Sequence, residues 1–370
     1  MSSFERATAF LTIDVGAVID NWRRIGQQVG PRCEAAAVVK ADCYGLGAER
    51  LAPALAAAGC KTFFVASIDE GIAMRRLIPR GTIHVLGGLL PGTAGDLAEF
   101  GLTPVLNSLE QIGQWAGYAS ATGRTLDAAL HLDTGMSRLG LDEAAVNLVA
   151  AESSLLAGIR PVLVMSHMAC ADEAEHPKNP DQLQRFTDLS GRLGLAARRS
   201  LGASSTIFLG PDYHFDLVRP GAALYGLNPT PDQPNPMAPV VRLQARIVQV
   251  RDVDSPMTVG YGASHRITQK GRVAVAAIGY ADGLFRSLGN RGFGVIEGER
   301  VPVVGRISMD LTTFDVSHLP PEQARPGALV ELIGEHQSAD ALAADAGTIG
   351  YEILTALGRR FHRTYAGEAA

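Results

Sequence analysis

Lys40 ends a strongly apolar run, residues 35–40, and Tyr44 follows it in the segment KADCYG. A charged amine is costly to bury without a partner. Such a lysine either extends its amine into solvent at the end of a strand, or has a pKa lowered by burial, so that its neutral amine can form an imine with an aldehyde. Residue chemistry alone leaves both interpretations open.

Polar side chains end other apolar runs of the same kind. Asp133, His167 and Ser204 each stand at such an end, and Arg219 leads into the last run. His167 also belongs to SHMACADEAEH, a segment rich in potential metal ligands. The ligand spacing there matches no common zinc pattern, and we predict no metal site.

The elements that would position these residues are short apolar runs alternating with amphipathic segments. The runs are residues 35–40, 62–67, 82–87, 102–107, 128–133, 161–167, 200–205 and 221–226, and helix-like stretches include 48–58, 68–77, 109–121, 143–151 and 181–193. Buried strands alternating with helices indicate parallel βαβ units. Eight units predict a (β/α)8 barrel with its chemistry at the carboxyl ends of the strands. An open doubly wound sheet remains the alternative, because counting runs does not prove closure.

The pattern changes after a proline-rich segment at residues 228–239. Alternating runs separated by glycine-rich turns follow it, at residues 241–250, 273–278, 294–296, 301–304 and 328–333. Such runs predict a C-terminal, mainly antiparallel β domain. We therefore expect an α/β chain of two domains, a (β/α)8 barrel at residues 1–234 and a mainly antiparallel β domain at residues 235–370.

Composition excludes several classes of protein. Hydrophobic residues make up 46% of the 370 residues and charged residues 19%, which is typical of a globular protein. A net charge of −5 gives no reason to expect nucleic acid or an anionic membrane as partner. The chain starts without a secretory signal and lacks a run of ~20 apolar residues. Its four cysteines form no CxxC pair, which indicates free thiols. We expect a cytoplasmic protein.

Around Lys40 the sequence reads VVKADCYGLG, and seven further motifs follow it in order: HLDTGMSRLG, SHMACADE, VRPGAALYGLNP, VGYGASH, GYADGL, GRISMD and YEILT. In these motifs the chain resembles the alanine racemase family, whose members depend on pyridoxal 5′-phosphate (PLP) and have a barrel-type fold. The resemblance covers almost the whole chain. It implies an amino-acid racemase that holds PLP as a Schiff base on Lys40.

The resemblance further implies racemisation of L-alanine and D-alanine by two bases. The Cα proton leaves one face of the external aldimine and another arrives on the opposite face, which a single rigid base cannot easily serve. The family pattern assigns Lys40 to one face and Tyr261 to the other. A tyrosine hydroxyl, with a pKa of ~10 in water, needs support to act as a base. The pattern places His167 against Tyr261, and Arg219 against His167 and the pyridine nitrogen.

The remaining site residues also come from the resemblance. It implies that the phosphate is bound by Tyr44, Ser204, the backbone of Gly221 and Ala222, and Tyr351. It places Arg138 near the phenolic oxygen of the cofactor and the substrate carboxylate, and the backbone N–H of Met309 against that carboxylate. Tyr280 would narrow the substrate channel. Each of these could instead be an ordinary loop or core residue.

The implied assembly is a homodimer with two shared active sites, acting on a small amino acid. An amino-acid racemase of other specificity, such as serine, is the nearest alternative, since pockets discriminate poorly against one small polar group. Barrel-type PLP decarboxylases are a second alternative, although Arg219 argues against them. A non-catalytic PLP carrier is a third. Two roles stay open, supply of D-alanine to peptidoglycan and breakdown of alanine.

Three positions depart from the family pattern. His131 stands where many members have a lysine that becomes carbamylated and steadies the arginine, so the carbamate is excluded here and the support of Arg138 is open. Cys43 replaces a frequent alanine beside Tyr44, and Ala203 replaces a frequent asparagine before Ser204. None of these changes removes a catalytic group.

Overall fold

A computed structural model describes residues 3–367, which divide into two compact units. The barrel unit comprises Val18–Cys43 and Gly47–Ala238. The β unit comprises the N-terminal segment through Ala17, Tyr44–Leu46, and the chain from Pro239 onward. The N-terminal segment therefore groups with the C-terminal part. The domain limits predicted from the sequence, 1–234 and 235–370, stay a prediction.

The strands of the barrel unit are all parallel to their neighbours. Numbered in chain order, they are β2 (Glu34–Ala35), β3 (Ala37–Val38), β4 (Thr62–Val65), β5 (Thr82–Val85), β6 (Thr103–Leu106), β7 (Leu126–His131), β8 (Ile159–Met165), β9 (Arg198–Ser200) and β10 (Leu217–Val218). Strands β3 to β9 form one seven-stranded sheet in sequence order. Every residue of β4 and β6 is buried, as expected for strands covered on both faces.

Strand β10 closes this sheet into a barrel. On one side it pairs with β2, with Leu217 opposite Glu34. On the other side the N–H of Asp216 donates to the carbonyl of Arg199, in β9, at 3.0 Å. Because β2 and β3 continue one another across Ala36, the strands occupy eight positions around a closed ring. The predicted (β/α)8 barrel is confirmed, and the open sheet is excluded.

The helices of this unit are α2 (Val15–Val29, beginning in the β unit), α3 (Lys40–Gly45, ending there), α4 (Ala48–Ala57), α5 (Ile68–Leu77), α6 (Ala94–Glu99), α7 (Leu109–Thr122), α8 (Glu143–Ala151) and α9 (Lys178–Leu193). Side-chain caps begin three of them, since Ser67, Ser108 and Asp142 each accept a backbone N–H in the first turn. Helices α7 and α9 end at the left-handed residues Gly123 and Gly194. No helix among residues 3–367 has both the length and the apolar character that crossing a membrane requires.

The eighth predicted run, residues 221–226, is wrong as a strand. Residues Ala222–Tyr225 form a 3-10 turn that ends at Gly226 with φ 83°, and the strand is the shorter β10 before it. Pro220 follows β10 and has no N–H to continue a ladder. The apolar character of the run reflects burial of the turn, whose residues Ala222–Tyr225 are all buried.

The β unit holds a largely antiparallel sheet. Its strands are β1 (Ala9–Asp14), β11 (Val241–Val253), β12 (Thr258–Val259), β13 (His265–Arg266), β14 (Gly271–Ala276), β15 (Phe293–Ile296), β16 (Glu299–Pro302), β17 (Thr312–Asp315), β18 (Leu329–Ile333) and β19 (His362–Ala366), with helices α1 (Ser3–Arg6), α10 (Ala339–Ala346) and α11 (Gly350–Ala356). The main sheet runs β16-β15-β18-β11-β1-β19, and β14 joins β11 to β17. Only β1 and β19 pair in parallel within the described sheet. The predicted antiparallel character is confirmed.

Candidate active site

Lys40 lies two positions after the end of β3, and a left-handed turn follows it. Residues 41–44 have φ values of 52°, 55°, 53° and 58°, although none is glycine. Left-handed helical backbone costs about 1 kcal/mol or more for each such residue, so surrounding contacts must hold the turn. One contact comes from within, since the carboxylate of Asp42 accepts the N–H of Ala48 at 2.7 Å. The turn fixes the backbone next to Lys40, and with it the position from which the Lys40 side chain extends.

The surroundings of Lys40 favour a neutral amine. Burial is the main cause that lowers the pKa of Lys40, and the guanidinium of Arg138 lowers it further, while the carboxylate of Glu70 opposes both. A lowered pKa raises the neutral fraction of an amine at physiological pH, and the neutral form is the nucleophile. Lys40 is half-buried, and its lowered pKa agrees with the reactive lysine of the two interpretations left open by the sequence, a role that stays a prediction.

Arg219 is a buried guanidinium with no carboxylate partner among residues 3–367. It is 4% exposed. Its Nη1 donates to the carbonyl and the Oγ of Ser200 at 3.0 and 2.7 Å, and its Nη2 donates to the carbonyl of Ser166 at 2.5 Å. Its Nε–H donates to none of the described residues. Burial lowers the pKa of Arg219 to about 9, so it remains a cation at neutral pH. Such a group can hold a neutral acceptor, and a pyridine nitrogen is one.

Two histidines at the ends of neighbouring barrel strands are held neutral. Burial, followed by the charges of Arg219 and Arg138, lowers the pKa of His167 to about 3 and that of His131 to about 4. A neutral imidazole can pass a hydrogen bond from one neighbour to the next, because one ring nitrogen donates and the other accepts. His167 and Lys40 also interact electrostatically. Lys40, Arg138, His167 and Arg219 thus belong to one electrostatic cluster of the barrel unit.

Asn107 fixes the orientation and tautomer of His131. Its Nδ2 donates to the carbonyls of Val105 and Leu86 at 2.8 and 3.1 Å, which leaves its Oδ1 facing the Nδ1 of His131 at 2.7 Å. An amide oxygen only accepts, so Nδ1 of the neutral ring carries the hydrogen. Nε2 is then the acceptor. His131, which stands where other family members have a carbamylated lysine, therefore offers a neutral acceptor, its Nε2.

Arg138 lies in a loop organised by Asp133. The Oδ1 of Asp133 accepts the N–H groups of Gly135 and Met136, both at 2.9 Å, and that of Ser137 at 3.1 Å. The side chain of Arg138 is exposed and makes no hydrogen bond or ion pair within the described chain. It is therefore available to a bound anion.

Ser204 and the turn after β10 form a set of donors. The Oγ of Ser204 accepts the N–H of Gly221 at 3.0 Å and that of Ala223 at 3.2 Å. Two accepted bonds leave the hydroxyl hydrogen to donate. The N–H of Ala222, which is buried, donates to no other described residue. This hydroxyl and this amide suit a phosphate, whereas the N–H of Gly221 is already engaged with Ser204.

The predicted residues of the β unit are exposed. Tyr261 is 70% exposed, Met309 53% and Tyr280 43%. Tyr261 stands between Gly260 and Gly262, whose φ values of 75° and 70° favour glycine. The loop of Tyr280 lies against that of Met309, since the N–H of Ala281 donates to the Met309 carbonyl at 3.0 Å. The N–H of Met309 itself donates to no described residue.

Two predicted phosphate ligands meet within the β unit. The rings of Tyr44 and Tyr351 lie with centroids 6.0 Å apart and planes tilted by 48°. Tyr44 is buried, whereas Tyr351 is 40% exposed. The two phenols are thus brought together although Tyr351 lies 307 positions after Tyr44 in the sequence.

Cys43 is fully buried and unreactive. Burial raises the pKa of its thiol to about 12, and Tyr225 contacts it through a hydrogen bond. It is therefore a packing residue below the turn rather than a redox group. Among residues 3–367, no cluster of three or more His, Cys, Asp or Glu side chains is arranged to hold a metal ion.

Sequence reasoning missed three residues whose side chains form hydrogen bonds to predicted site residues or to a residue next to one. Glu70 accepts the N–H of Ala41, Asn107 bonds His131, and Gln182 donates to the carbonyl of His167 at 3.1 Å. Only Glu70 had a sequence signal, because Ser67-x-x-Glu70 is a helix-capping pattern. Asn107 and Gln182 act through long-range contacts that no local pattern reveals.

Comparisons with known proteins identify the family of this chain. The chain matches the model of the alanine racemase N-terminal domain over residues 13–229 and that of the C-terminal domain over residues 240–365. It is 50% identical to an alanine racemase of Rhodospirillum rubrum, covering 99% of this chain and 98% of the relative. It is 49% identical to a catabolic alanine racemase of Mesorhizobium japonicum, covering 98% and 94%.

A solved structure gives the same result. The crystal structure of alanine racemase from Bartonella henselae, with covalently bound pyridoxal phosphate, has a TM-score of 0.94 to this chain. The two chains are 39% identical, and the match covers 97% of this chain and 99% of the other. With its two matched domains and relatives of full length, this chain belongs to the alanine racemase family.

Proposed function

We propose that this chain is a PLP-dependent racemase that interconverts L-alanine and D-alanine, with Lys40 as the residue that binds the cofactor covalently. The observation that carries the proposal is the pairing, at one mouth of the barrel, of a lysine with a lowered pKa and a buried arginine that has no carboxylate partner in the described chain. A carboxylate at that place would favour a protonated pyridine nitrogen. Arg219 favours the neutral one.

The donor set of the barrel unit fits PLP. Lys40 would supply the amine for its aldehyde, the Nε–H of Arg219 would supply a donor for its ring nitrogen, and the Ser204 hydroxyl with the N–H of Ala222 would supply donors for its phosphate. When bound, the cofactor withdraws electrons from Cα of the substrate and so makes the Cα proton acidic. Tyr44 and Tyr351 are proposed as further phosphate donors, and their proximity in the β unit supports that pairing.

Two bases are proposed to move the proton. Lys40 serves one face of Cα and Tyr261 the other, because one rigid side chain cannot reach both. Neutral His167, with Arg219 close to it electrostatically, is proposed to hydrogen-bond the Tyr261 hydroxyl and adjust its basicity. Arg138 is proposed to bind the substrate carboxylate together with the N–H of Met309, both of which lack partners among the described residues.

We further propose a homodimer with shared sites. Tyr261, Met309 and Tyr280 combine reactive or apolar groups with high exposure, and such a surface is typical of one that another chain covers. In the proposed dimer these residues complete the site whose lysine belongs to the partner. Mixing Lys40→Ala with Tyr261→Phe chains tests this, since each protein alone has no intact site.

Subunit exchange between the two variants should restore about a quarter of the wild-type activity. Half of the dimers would be mixed, and each mixed dimer would hold one intact site of two. Exchange is verified by native mass spectrometry of differently tagged chains. No restored activity in a verified mixture would place each site within one chain and contradict the shared arrangement.

The reaction itself is tested with purified protein, PLP and L-alanine in D2O. Loss of optical rotation together with deuterium at Cα, read by proton NMR, is the expected result. Serine under the same conditions should be turned over more slowly. If serine reacts with the higher kcat/KM, the proposed substrate is wrong, and release of carbon dioxide would indicate a decarboxylase.

A further inference from the structure

Glu70 joins the end of one barrel strand to the turn that follows Lys40. It lies in the first turn of α5, where the Oγ of Ser67 accepts its N–H at 3.3 Å. Its Oε1 accepts the N–H of Ala41 at 2.8 Å, and its Oε2 accepts the N–H of Ala66 at 2.7 Å. Both carboxylate oxygens are therefore used on backbone groups, one of them in the residue directly after Lys40.

The Ala41 bond holds a backbone that would otherwise relax. Ala41 is the first of the four left-handed residues, with φ 52°. Its conformation is unfavourable for a residue with a Cβ, so the turn persists only while its contacts last. A charged acceptor binds a backbone N–H more strongly than a neutral one does. Glu70 is thus the contact best suited to hold the start of the turn, and with it the Cα of Lys40.

Glu70 also contributes charge. Within the barrel unit, the charged and titratable groups that interact with Lys40 are Arg138, Glu70 and His167. His167 is neutral, and Arg138 disfavours the protonated lysine. Glu70 is the group among them that favours it, so its removal shifts the titration of Lys40 to lower pH.

We propose that Glu70 is a positioning residue for Lys40, fixing the left-handed turn through Ala41 and balancing the charge of Arg138. The inference rests on the proposed role of Lys40. Unlike Lys40, Glu70 touches neither substrate nor cofactor in this scheme. It acts on Lys40 through its hydrogen bond to the backbone of Ala41 and through the electrostatic effect of its negative charge.

The test is the capture of PLP by cofactor-free protein. The amine of Lys40 condenses with the PLP aldehyde and releases water, and borohydride then reduces the carbon–nitrogen double bond so that mass spectrometry can locate the label. The capture rate is measured from pH 6 to 10 for wild type, Glu70→Gln, Glu70→Asp and the control Asp69→Asn. Asp69 is an exposed acid in the same helical turn.

Glu70→Gln should slow capture on the order of tenfold, since a small misplacement of a reacting group is costly. The midpoint of its pH profile should fall by about half a unit or more because the negative charge is gone. Glu70→Asp keeps the negative charge, but its shorter side chain cannot reach the N–H of Ala41. It should therefore capture PLP slowly, with the midpoint of its pH profile nearer the wild-type value. Asp69→Asn should capture PLP at close to the wild-type rate.

Hydrogen exchange separates positioning from general stability. In Glu70→Gln, amides of residues 36–48 should exchange faster while the other barrel strands stay protected. A wild-type rate and midpoint in Glu70→Gln would overturn the inference, and so would faster exchange throughout the barrel. Lys40→Ala is the further control. If it captures PLP as wild type does, the proposed role of Lys40 fails, whatever Glu70 does.

Discussion

The two units of the chain prepare their proposed site residues in opposite ways. In the barrel unit, Arg219 is 4% exposed and held by hydrogen bonds to Ser200 and Ser166. In the β unit, Tyr261 is 70% exposed and rests on a glycine-flanked turn. The barrel groups have their pKa values shifted by burial, whereas the β-unit groups lie on an open surface.

This difference shows which of the two units must stabilise its functional residues against an unfavourable free energy of burial and backbone strain. The barrel buries charge and strained backbone, which requires a network of specific contacts and leaves chemistry and stability inseparable. The β unit presents its groups on loops above a sheet, at little cost to its own fold. Substitutions in the barrel should therefore affect stability and activity together, and substitutions in the β-unit loops should affect activity alone.

The largest expected effect is that of Lys40→Ala. Activity should fall by about a thousandfold or more, because the variant loses both the covalent link and one base. Borohydride trapping should find no labelled peptide containing residue 40. Lys61→Ala, which removes an exposed lysine, is the matched control and should behave as wild type. Labelling of another lysine at the wild-type rate would show that Lys40 has been assigned wrongly.

Arg219→Ala and Tyr261→Phe should separate stability from activity. The first removes the hydrogen bonds that Arg219 donates to Ser200 and Ser166 and leaves a cavity at a buried site, so the free energy of unfolding should fall by about 3 kcal/mol. The second should change it by less than about 0.5 kcal/mol, because an exposed hydroxyl is lost. Urea denaturation followed by circular dichroism measures both. Equal destabilisation would break the contrast between the two units.

Acid should weaken the barrel through its neutral histidines. His84, stacked on Phe64 and 3% exposed, has a pKa lowered to about 3, as has His167, while that of His131 is about 4. These values lie below the ordinary 6.5, so the unfolded chain binds protons first as pH falls. Each histidine then lowers the free energy of unfolding by about 1.4 kcal/mol for every pH unit below 6.5, until the pH reaches the pKa of that histidine in the folded state.

Replacing His84 by Leu should therefore make unfolding less sensitive to pH between 6.5 and 5. Chemical denaturation at several pH values gives the slope directly. His318→Gln removes an exposed histidine and should leave the slope unchanged. An unchanged slope in His84→Leu would mean that the folded and unfolded chains bind a proton at His84 equally, so that its pKa is not lowered by folding.

The smallest expected effect concerns the support of His131. Asn107→Leu removes the acceptor of the Nδ1–H, so the ring loses its fixed tautomer and orientation. If His131 in turn orients Arg138, KM for alanine should rise by about three- to tenfold with a smaller change in kcat. Asn147→Ala, an exposed substitution on α8, is the control. A change in kcat alone would place the effect elsewhere than in substrate binding.

The sequence predicted the parts of this account that follow from periodicity and residue type. Lys40, His167 and Ser204 were expected at strand ends, and each follows a barrel strand. The left-handed turn after Lys40 was not foreseen, because residues 41–44 include no glycine to signal it. Glu70, whose carboxylate accepts the N–H of Ala41 in this turn, lies 29 positions away from it in sequence.

The eighth strand shows the same limit. Residues 221–226 are apolar because a 3-10 turn is buried, and burial alone does not distinguish a turn from a strand. The grouping of β1 with the β unit depends on its pairing with β11 and β19, at the far end of the chain. Contacts of this kind are set by tertiary structure, and no short window of sequence contains them.

The most direct test of the two-base account is the behaviour of Tyr261→Phe in D2O. The variant is incubated with PLP and, separately, with each enantiomer of alanine, and both deuterium at Cα and optical rotation are followed. The account predicts that one enantiomer exchanges its Cα proton through Lys40 with retained rotation, while racemisation falls by at least about a hundredfold. Racemisation by Tyr261→Phe at close to the wild-type rate would contradict it.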